Sequence, residues 1–213
     1  MVKLRHIAAA AFILAGCAAS YGQLTAGQAF VDAPRAVFPL LDRDAKLDMV
    51  DYYNSGVATP TKNVMDGKSL ITSMAPMKMN FTMTDASCYE IDMLPTADGD
   101  TLIALIGTVA TPAPDSQMTL YTKDWGANVT PAHFTKPVLA DWLTSEGKSR
   151  SGEVEGLVPF LLIGYTYDPG SRTLTLTNNT RRFLSADVYE IVEPCLKQTM
   201  TYSWNGKKFI AQP

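Results

Sequence analysis

The chain is poor in the side chains that most often do chemistry near neutral pH. It holds two histidines and three cysteines in 213 residues. His6 lies in an apolar leader, which leaves His133 as the one histidine of the folded body. One histidine with distant cysteines is a poor zinc set, and no His-Glu-x-x-His pair occurs. There is no Gly-x-Ser-x-Gly elbow, and no Ser or Cys near His133 in sequence has a recognisable nucleophile setting. The chain also lacks a basic cluster, which argues against nucleic acid as a partner. Beyond the leader it has no apolar run long enough to span a bilayer, and no low-complexity tract.

What is present begins with an export signal. Lys3 and Arg5 precede the apolar run Ile7 to Leu14, and small residues follow. That pattern reads as a secretory signal over residues 1–22, too short to be a membrane span. Two cuts compete. Ser20 and Gly22 suit a cut before Gln23. Alternatively "LAGC", Leu14 to Cys17, fits a lipoprotein box in which Cys17 is lipidated, and that lipid would be the chain's only route to a membrane. Removing residues 1–22 takes two of the 18 basic residues and none of the 21 acidic ones, so the exported part is more acidic than the whole. The expected location is the periplasm or the outer membrane. Residues 23–213 suffice for one α+β domain, or for two sub-domains over 23–130 and 131–213.

Cys88 and Cys195 survive either cut and would meet an oxidising compartment. A bridge between them would close a loop of about a hundred residues, worth up to about 4–5 kcal/mol in the chain-entropy account. Two separate thiols are the other reading, and spacing alone does not choose.

Four aspartates, Asp42, Asp44, Asp48 and Asp51, fall within ten residues. A calcium loop counted from Asp42 needs an oxygen ligand, a Gly and a Glu where Lys46, Leu47 and Tyr53 stand. The stretch is therefore a helix start. Asp42 or Asp44 caps it, Leu47, Val50 and Tyr53 or Asn54 form its apolar face, and Gly56 ends it. A shorter helical piece is expected from Ala33-Pro34, broken by Pro39.

From Met77 the period becomes two. Met77, Met79, Phe81 and Met83 alternate with polar residues, as do Tyr89, Ile91 and Met93, which predicts an antiparallel hairpin with one covered face. Its methionines suit a core better than a Cu(I) site. "TLIALIGTV", Thr101 to Val109, is apolar throughout and predicts a strand covered on both sides. Met118 and Leu120 predict the next strand. A helix is expected over Lys136 to Ser145, and "EGKSRSGE" after it reads as an exposed link. "FLLIGYTY" and "RTLTLT" flank the turn Asp168 to Ser171, Ser185 caps a short helix, and Asn205-Gly206 joins the last hairpin. The order points to α+β architecture, an antiparallel sheet with helices packed on one face.

The remaining signals for chemistry are weak. "DGKS", Asp66 to Ser69, lacks the Walker glycine, because Lys62 stands in its place. Glu90 with Asp92, and Glu153 with Glu155, are carboxylate pairs, but nothing in the sequence identifies the cleft a glycosidase needs, and solvated faces explain both. No catalytic, cofactor or metal residue is assigned. Tyr121 and Trp125 are weak candidates for a binding face, with packing in the sheet as the other reading.

Several stretches, "FVDAPRAVFPLLDRDAKLDMVDYY", "SCYEIDMLP", "TLIALIGTVATPAPDSQMTLYTKDW" and "YSWNGKKF", resemble domain-of-unknown-function family 3256 of secreted Gram-negative proteins. The block holding Pro112, Asp115, Ser116, Tyr121 and Trp125 carries most of it. The resemblance spans about Ala26 to Phe209. It implies an envelope location and no particular activity, cofactor or site residue. Members of that family carry a plain signal ending before Gln, so the box at Cys17 departs from the pattern. The element order also distantly resembles β-lactamase-inhibitor-like proteins, an analogy of architecture alone. Together these readings predict an exported, non-catalytic binding module for a protein, peptide or glycan. A hydrolase of envelope polymers or glycans and a lipid-anchored structural protein are the alternatives.

Overall fold

The computed structural model describes residues 23–213; the signal-like stretch and Cys17 lie outside them. Two helices come first, α1 (Ala26–Asp32) and α2 (Arg43–Asn54). Six strands follow: β1 (Thr61–Lys62), β2 (Lys68–Ala75), β3 (Lys78–Thr84), β4 (Ser87–Pro95), β5 (Thr101–Val109) and β6 (Asp115–Thr122). They form one antiparallel sheet in sequence order. Four short helices connect onward: α3 (Thr130–His133), α4 (Leu139–Trp142), α5 (Ser145–Ser149) and α6 (Ser151–Leu157). The second sheet contains β7 (Ile163–Asp168), β8 (Thr173–Asn178), β9 (Thr199–Trp204) and β10 (Phe209–Ala211), ordered β10-β9-β8-β7, with α7 (Ala186–Val192) between β8 and β9. The architecture is α+β.

β5 shows why the first sheet is covered on both sides. Side chains alternate across a strand. Ile103 and Leu105 enter a core under α1 and α2 that also holds Phe30, Phe38, Phe81, Met79, Met83 and Met93. Ala104 and Ile106 point the other way, into a core shared with Tyr165, Tyr167, Leu174, Leu176, Tyr202 and Trp204 of the second sheet. Helices therefore cover one face and a second sheet covers part of the other, so the strands do not lie in the single sheet that the sequence suggested. Met118 and Leu120 join the inter-sheet core, and the alternating methionines lie under the helices.

Local signals place most element ends. Asp42 Oδ1 accepts the Ala45 N–H at 2.8 Å, and Gly56 takes positive φ after α2, as caps require. Asp168 accepts from the N–H groups of Gly170 and Ser171 in the β7–β8 turn, and Ser185 caps α7. Five expectations fail. The first helix lies before Pro34, capped by Thr25, because the apolar spacing Ala26, Ala29, Phe30 buries a face there. β2 was not foreseen, since Lys68 and Ser69 read as part of a turn. The helix expected over Lys136 to Ser145 is only the single turn α4, and Leu143 leaves it in extended conformation. "EGKSRSGE" is no link. It forms α5 and the start of α6, held by Thr144 as cap and by Arg150 paired with Glu146 and Glu153. The last hairpin has a four-residue connection, in which Asn205 Oδ1 accepts from Lys207 and Lys208.

Candidate functional site

β7 is an edge strand, and its free edge lies against the first sheet. Its N–H groups at Ile163, Tyr165 and Tyr167, alternate residues, point away from β8. An open row of such groups is a template for pairing with another chain. Here each donates to a side chain of the first sheet: Ile163 to Asp115 Oδ1 at 2.9 Å, Tyr165 to Ser116 Oγ at 3.0 Å, and Tyr167 to Glu90 Oε1 at 2.7 Å. Thr166 Oγ1 also donates to Glu90 Oε2 at 3.2 Å. The two sheets are thus joined by side chains that end one strand's hydrogen bonding.

A charged cluster closes this seam. Lys78 on β3 pairs directly across the strands with Asp92 on β4. Its Nζ lies 2.6 Å from Glu90 Oε1 and 3.6 Å from Asp92 Oδ1, and also donates to the Tyr167 carbonyl. Asp92 is wholly buried, and neither carboxylate oxygen has a hydrogen-bond partner. Burial first, and the neighbouring Glu90 second, push its carboxyl up to about 10, so it is protonated at neutral pH. Glu90 and Asp92 are therefore not the solvated pair that alternation on β4 suggested. The second sheet covers that face. Nor do they frame an open cleft, because Asp92 faces no solvent.

The other singled-out residues are dispersed. His133 ends α3, and its Nδ1 meets the Lys207 carbonyl. Cys88 is exposed on β4 and Cys195 is buried in the inter-sheet core, both free, so the bridge weighed from sequence does not form. Burial chiefly, then the charge of Glu90, raises the Cys88 thiol against a lowering hydrogen bond to Thr108, the opposite of what a nucleophilic cysteine needs. Trp125 is not an exposed binding residue. It is 7% exposed, its Nε1 donates to the Ala29 carbonyl at 3.0 Å, and the Tyr121 ring packs against it, tilted by 52°, with centroids 5.1 Å apart. Trp125 ties the turn after β6 to α1. Among the described residues no group of three or more His, Cys, Asp or Glu is placed to hold a metal ion, and no helix is long and apolar enough to cross a membrane.

An open, partly apolar groove lies beside α2. α2 buries Lys46 and Met49, while Val50 is half-buried against the first core and Leu47 faces outward. Lys46 Nζ donates to the carbonyls of Val31 and Ala33, beside the end of α1. Its apolar stem and these two bonds turn the helix, so Leu47 is 39% exposed. Leu47 and Val50 then line a groove of about 540 Å³ with Arg43, Val31, Gly27, Met74 and Pro76. Asp44, Asp48 and Asp51 form an exposed stripe on α2 beside it. A side chain at Gly27 would meet the Met74 sulfur at 2.9 Å, so glycine lets Met74 approach α1 and floor the groove. Of the apolar face read from periodicity, Val50 packs against the first core while Leu47 and Tyr53 are exposed.

The profile of a family described as "Protein of unknown function (DUF3256)" matches residues 19–209. No curated protein matches the chain. Among solved structures, a domain of an uncharacterized protein from Porphyromonas gingivalis W83 superposes with TM-score 0.73 at 16% identity, over 87% of this chain and 96% of that one. Similarity at that identity shows a shared fold and carries no activity with it. The seam between the sheets and the groove beside α2 both lie within the matched residues, and a match of that extent means that the chain belongs to the DUF3256 family.

Proposed function

We propose that the protein is an exported envelope module that binds a cationic, amphipathic segment of a protein or peptide in the groove between α1 and α2. One observation carries the reading: exposed Leu47 and half-buried Val50 line a groove of about 540 Å³ on a helix that also carries three exposed aspartates. A helix or strand with apolar residues on one side and lysines or arginines on the next matches this arrangement: its apolar side fills the groove and its cations meet the aspartates outside it, while Arg43, which also lines the groove, is paired with Asp32 at 3.6 Å. The groove offers no nucleophile or paired acid, so its chemistry is recognition. The hydrolase alternative needs Glu90 and Asp92 to reach a substrate, and Asp92 is sealed between the sheets. Export and, on the alternative cut, lipid on Cys17 would place the groove at the envelope. The mass of the native N-terminus separates a chain starting at Gln23 from a lipidated one.

The test is a titration, followed by backbone NMR, with two synthetic peptides of alternating Leu and Lys or Leu and Glu at helical spacing. The expected result is saturable shifts at residues 25–31, 43–54 and 74–76 with the lysine peptide only, lost in Leu47→Lys. Equal response to both peptides, or shifts confined to other surfaces, overturns the reading.

A further inference from the structure

The charged cluster at the seam has the composition of a reaction site as well as of a brace. Lys78 Nζ is 2.6 Å from Glu90 Oε1 and 3.6 Å from Asp92 Oδ1, so the amine lies beside the carboxyl it would attack and within proton-transfer reach of a second one. Asp92 is wholly buried with both oxygens unpartnered. A buried polar group without partners costs about 1–3 kcal/mol, and a native fold rarely leaves both oxygens of one carboxyl so. Register holds Lys78 directly opposite Asp92 on the neighbouring strand. Glu90 extends from the same face of β4, lines a groove of about 410 Å³ with Cys88, Thr108 and Thr166, and so connects the cluster to water.

We propose that Lys78 and Asp92 condense to an intramolecular amide, with Glu90 as the catalytic proton carrier. The Lys78 ammonium gives a proton to the Glu90 carboxylate. The freed amine attacks Cγ of the protonated Asp92 carboxyl, forming the C–N bond. Glu90 then protonates the departing hydroxyl and takes the second proton from nitrogen. One water leaves through the groove, the C–O bond is broken, and Glu90 ends protonated. No oxidant or cofactor is needed, and net charge is conserved, because the ammonium and carboxylate begin as a pair and both end neutral. The product exchanges a mostly buried ion pair for an amide, removing charges that are expensive to keep out of water. Its N–H keeps the hydrogen bond to the Tyr167 carbonyl. Desolvation favours the uncharged reactants, as in other shielded sites.

Intact mass of the denatured mature chain tests this. The expected mass is one water below that of the sequence. Trypsin then fails to cut after Lys78, and cleavage after Glu90 leaves the two flanking peptides joined. Lys78→Arg and Asp92→Ala have full mass. So does Glu90→Gln, checked as folded by circular dichroism. Asp92→Asn, which preserves the side-chain shape, loses one ammonia in place of water. A wild-type chain at full mass overturns the proposal whatever the variants do, as does a water loss that persists in Lys78→Arg. Neither result bears on peptide binding beside α2.

Discussion

Glu90 Oε1 accepts the backbone N–H of Tyr167 at 2.7 Å, and the same oxygen meets Lys78 Nζ at 2.6 Å. One carboxylate thereby ends the hydrogen bonding of an edge strand and balances a cation in the seam. Removing it leaves the Tyr167 N–H without its acceptor and takes the nearest anion from Lys78, which keeps only the Tyr167 carbonyl and Asp92. Glu90→Ala is expected to lower stability by about 3–5 kcal/mol, the usual consequence of breaking one side of a buried pair. Ser116→Ala, which strands the Tyr165 N–H and takes a partner from the Thr108 hydroxyl, should lower it by about 1–3 kcal/mol. Urea unfolding measures both. An unchanged stability in Glu90→Ala would show that β7 does not depend on this contact.

Features set by nearby residues were legible in the sequence: the Asp42 cap, the Gly56 stop, the hairpin at Asp85-Ala86, and β5 with apolar residues on both faces. What failed were questions of which surface meets which. Lys46 reads as a solvent residue, yet its ammonium is held by two carbonyls and its stem displaces Leu47 from the core. Glu90 and Asp92 alternate with Ile91 as an outward face should, and only the second sheet, about 75 residues away in sequence, covers them. The stretch from Glu146 to Glu153 looked like a link because Gly and Ser dominate it. Arg150 reaches acids on both sides at helical spacing and holds it as helix. The family resemblance rested heavily on Asp115, Ser116 and Trp125. In the fold these residues fasten the second sheet and α1 to the first sheet, so the resemblance reports architecture.

Lys46 gives a pH test. Burial chiefly, and Arg43 nearby, lower its affinity for a proton below that of a free lysine. Between the folded value and the ordinary 10.5, the unfolded chain binds more protons than the folded one, so stability should rise with pH in that alkaline window. Lys46→Met keeps the stem, loses both hydrogen bonds and should cost about 1–3 kcal/mol near neutrality. It should also lack the alkaline rise. The gap between the denaturant midpoints of the two proteins should therefore widen from pH 7 to 10; a gap that stays constant would show Lys46 to be exposed and unperturbed.

The two thiols should differ in reactivity. Cys88 is exposed but its thiol is raised above the ordinary value, so less thiolate is available at pH 8. Its alkylation by iodoacetamide should be slower than that of a free cysteine and should climb with pH past the point where the free thiol levels off. Cys195 is buried and should react only on unfolding. A folded chain in which Cys195 reacts as fast as Cys88 would contradict its placement in the inter-sheet core.

Trp125 is the strongest test of the first core, because its backbone as well as its ring is constrained. Its φ is 60°, a conformation uncommon for a bulky residue and tolerated only where surroundings fix it. The fixing contacts are the Nε1–H bond to Ala29 and ring packing on Tyr121 and Phe38. Trp125→Phe retains much of the packing and leaves the Ala29 carbonyl without that donor, so a loss of about 1–3 kcal/mol is expected. Trp125→Ala empties the site as well, and about 3–5 kcal/mol should be lost. With Tyr121→Ala added, the first core should no longer hold α1. Amide exchange would show this as lost protection over residues 26–32 before the second sheet opens. A double variant that keeps that protection would instead return both aromatics to the role of surface residues.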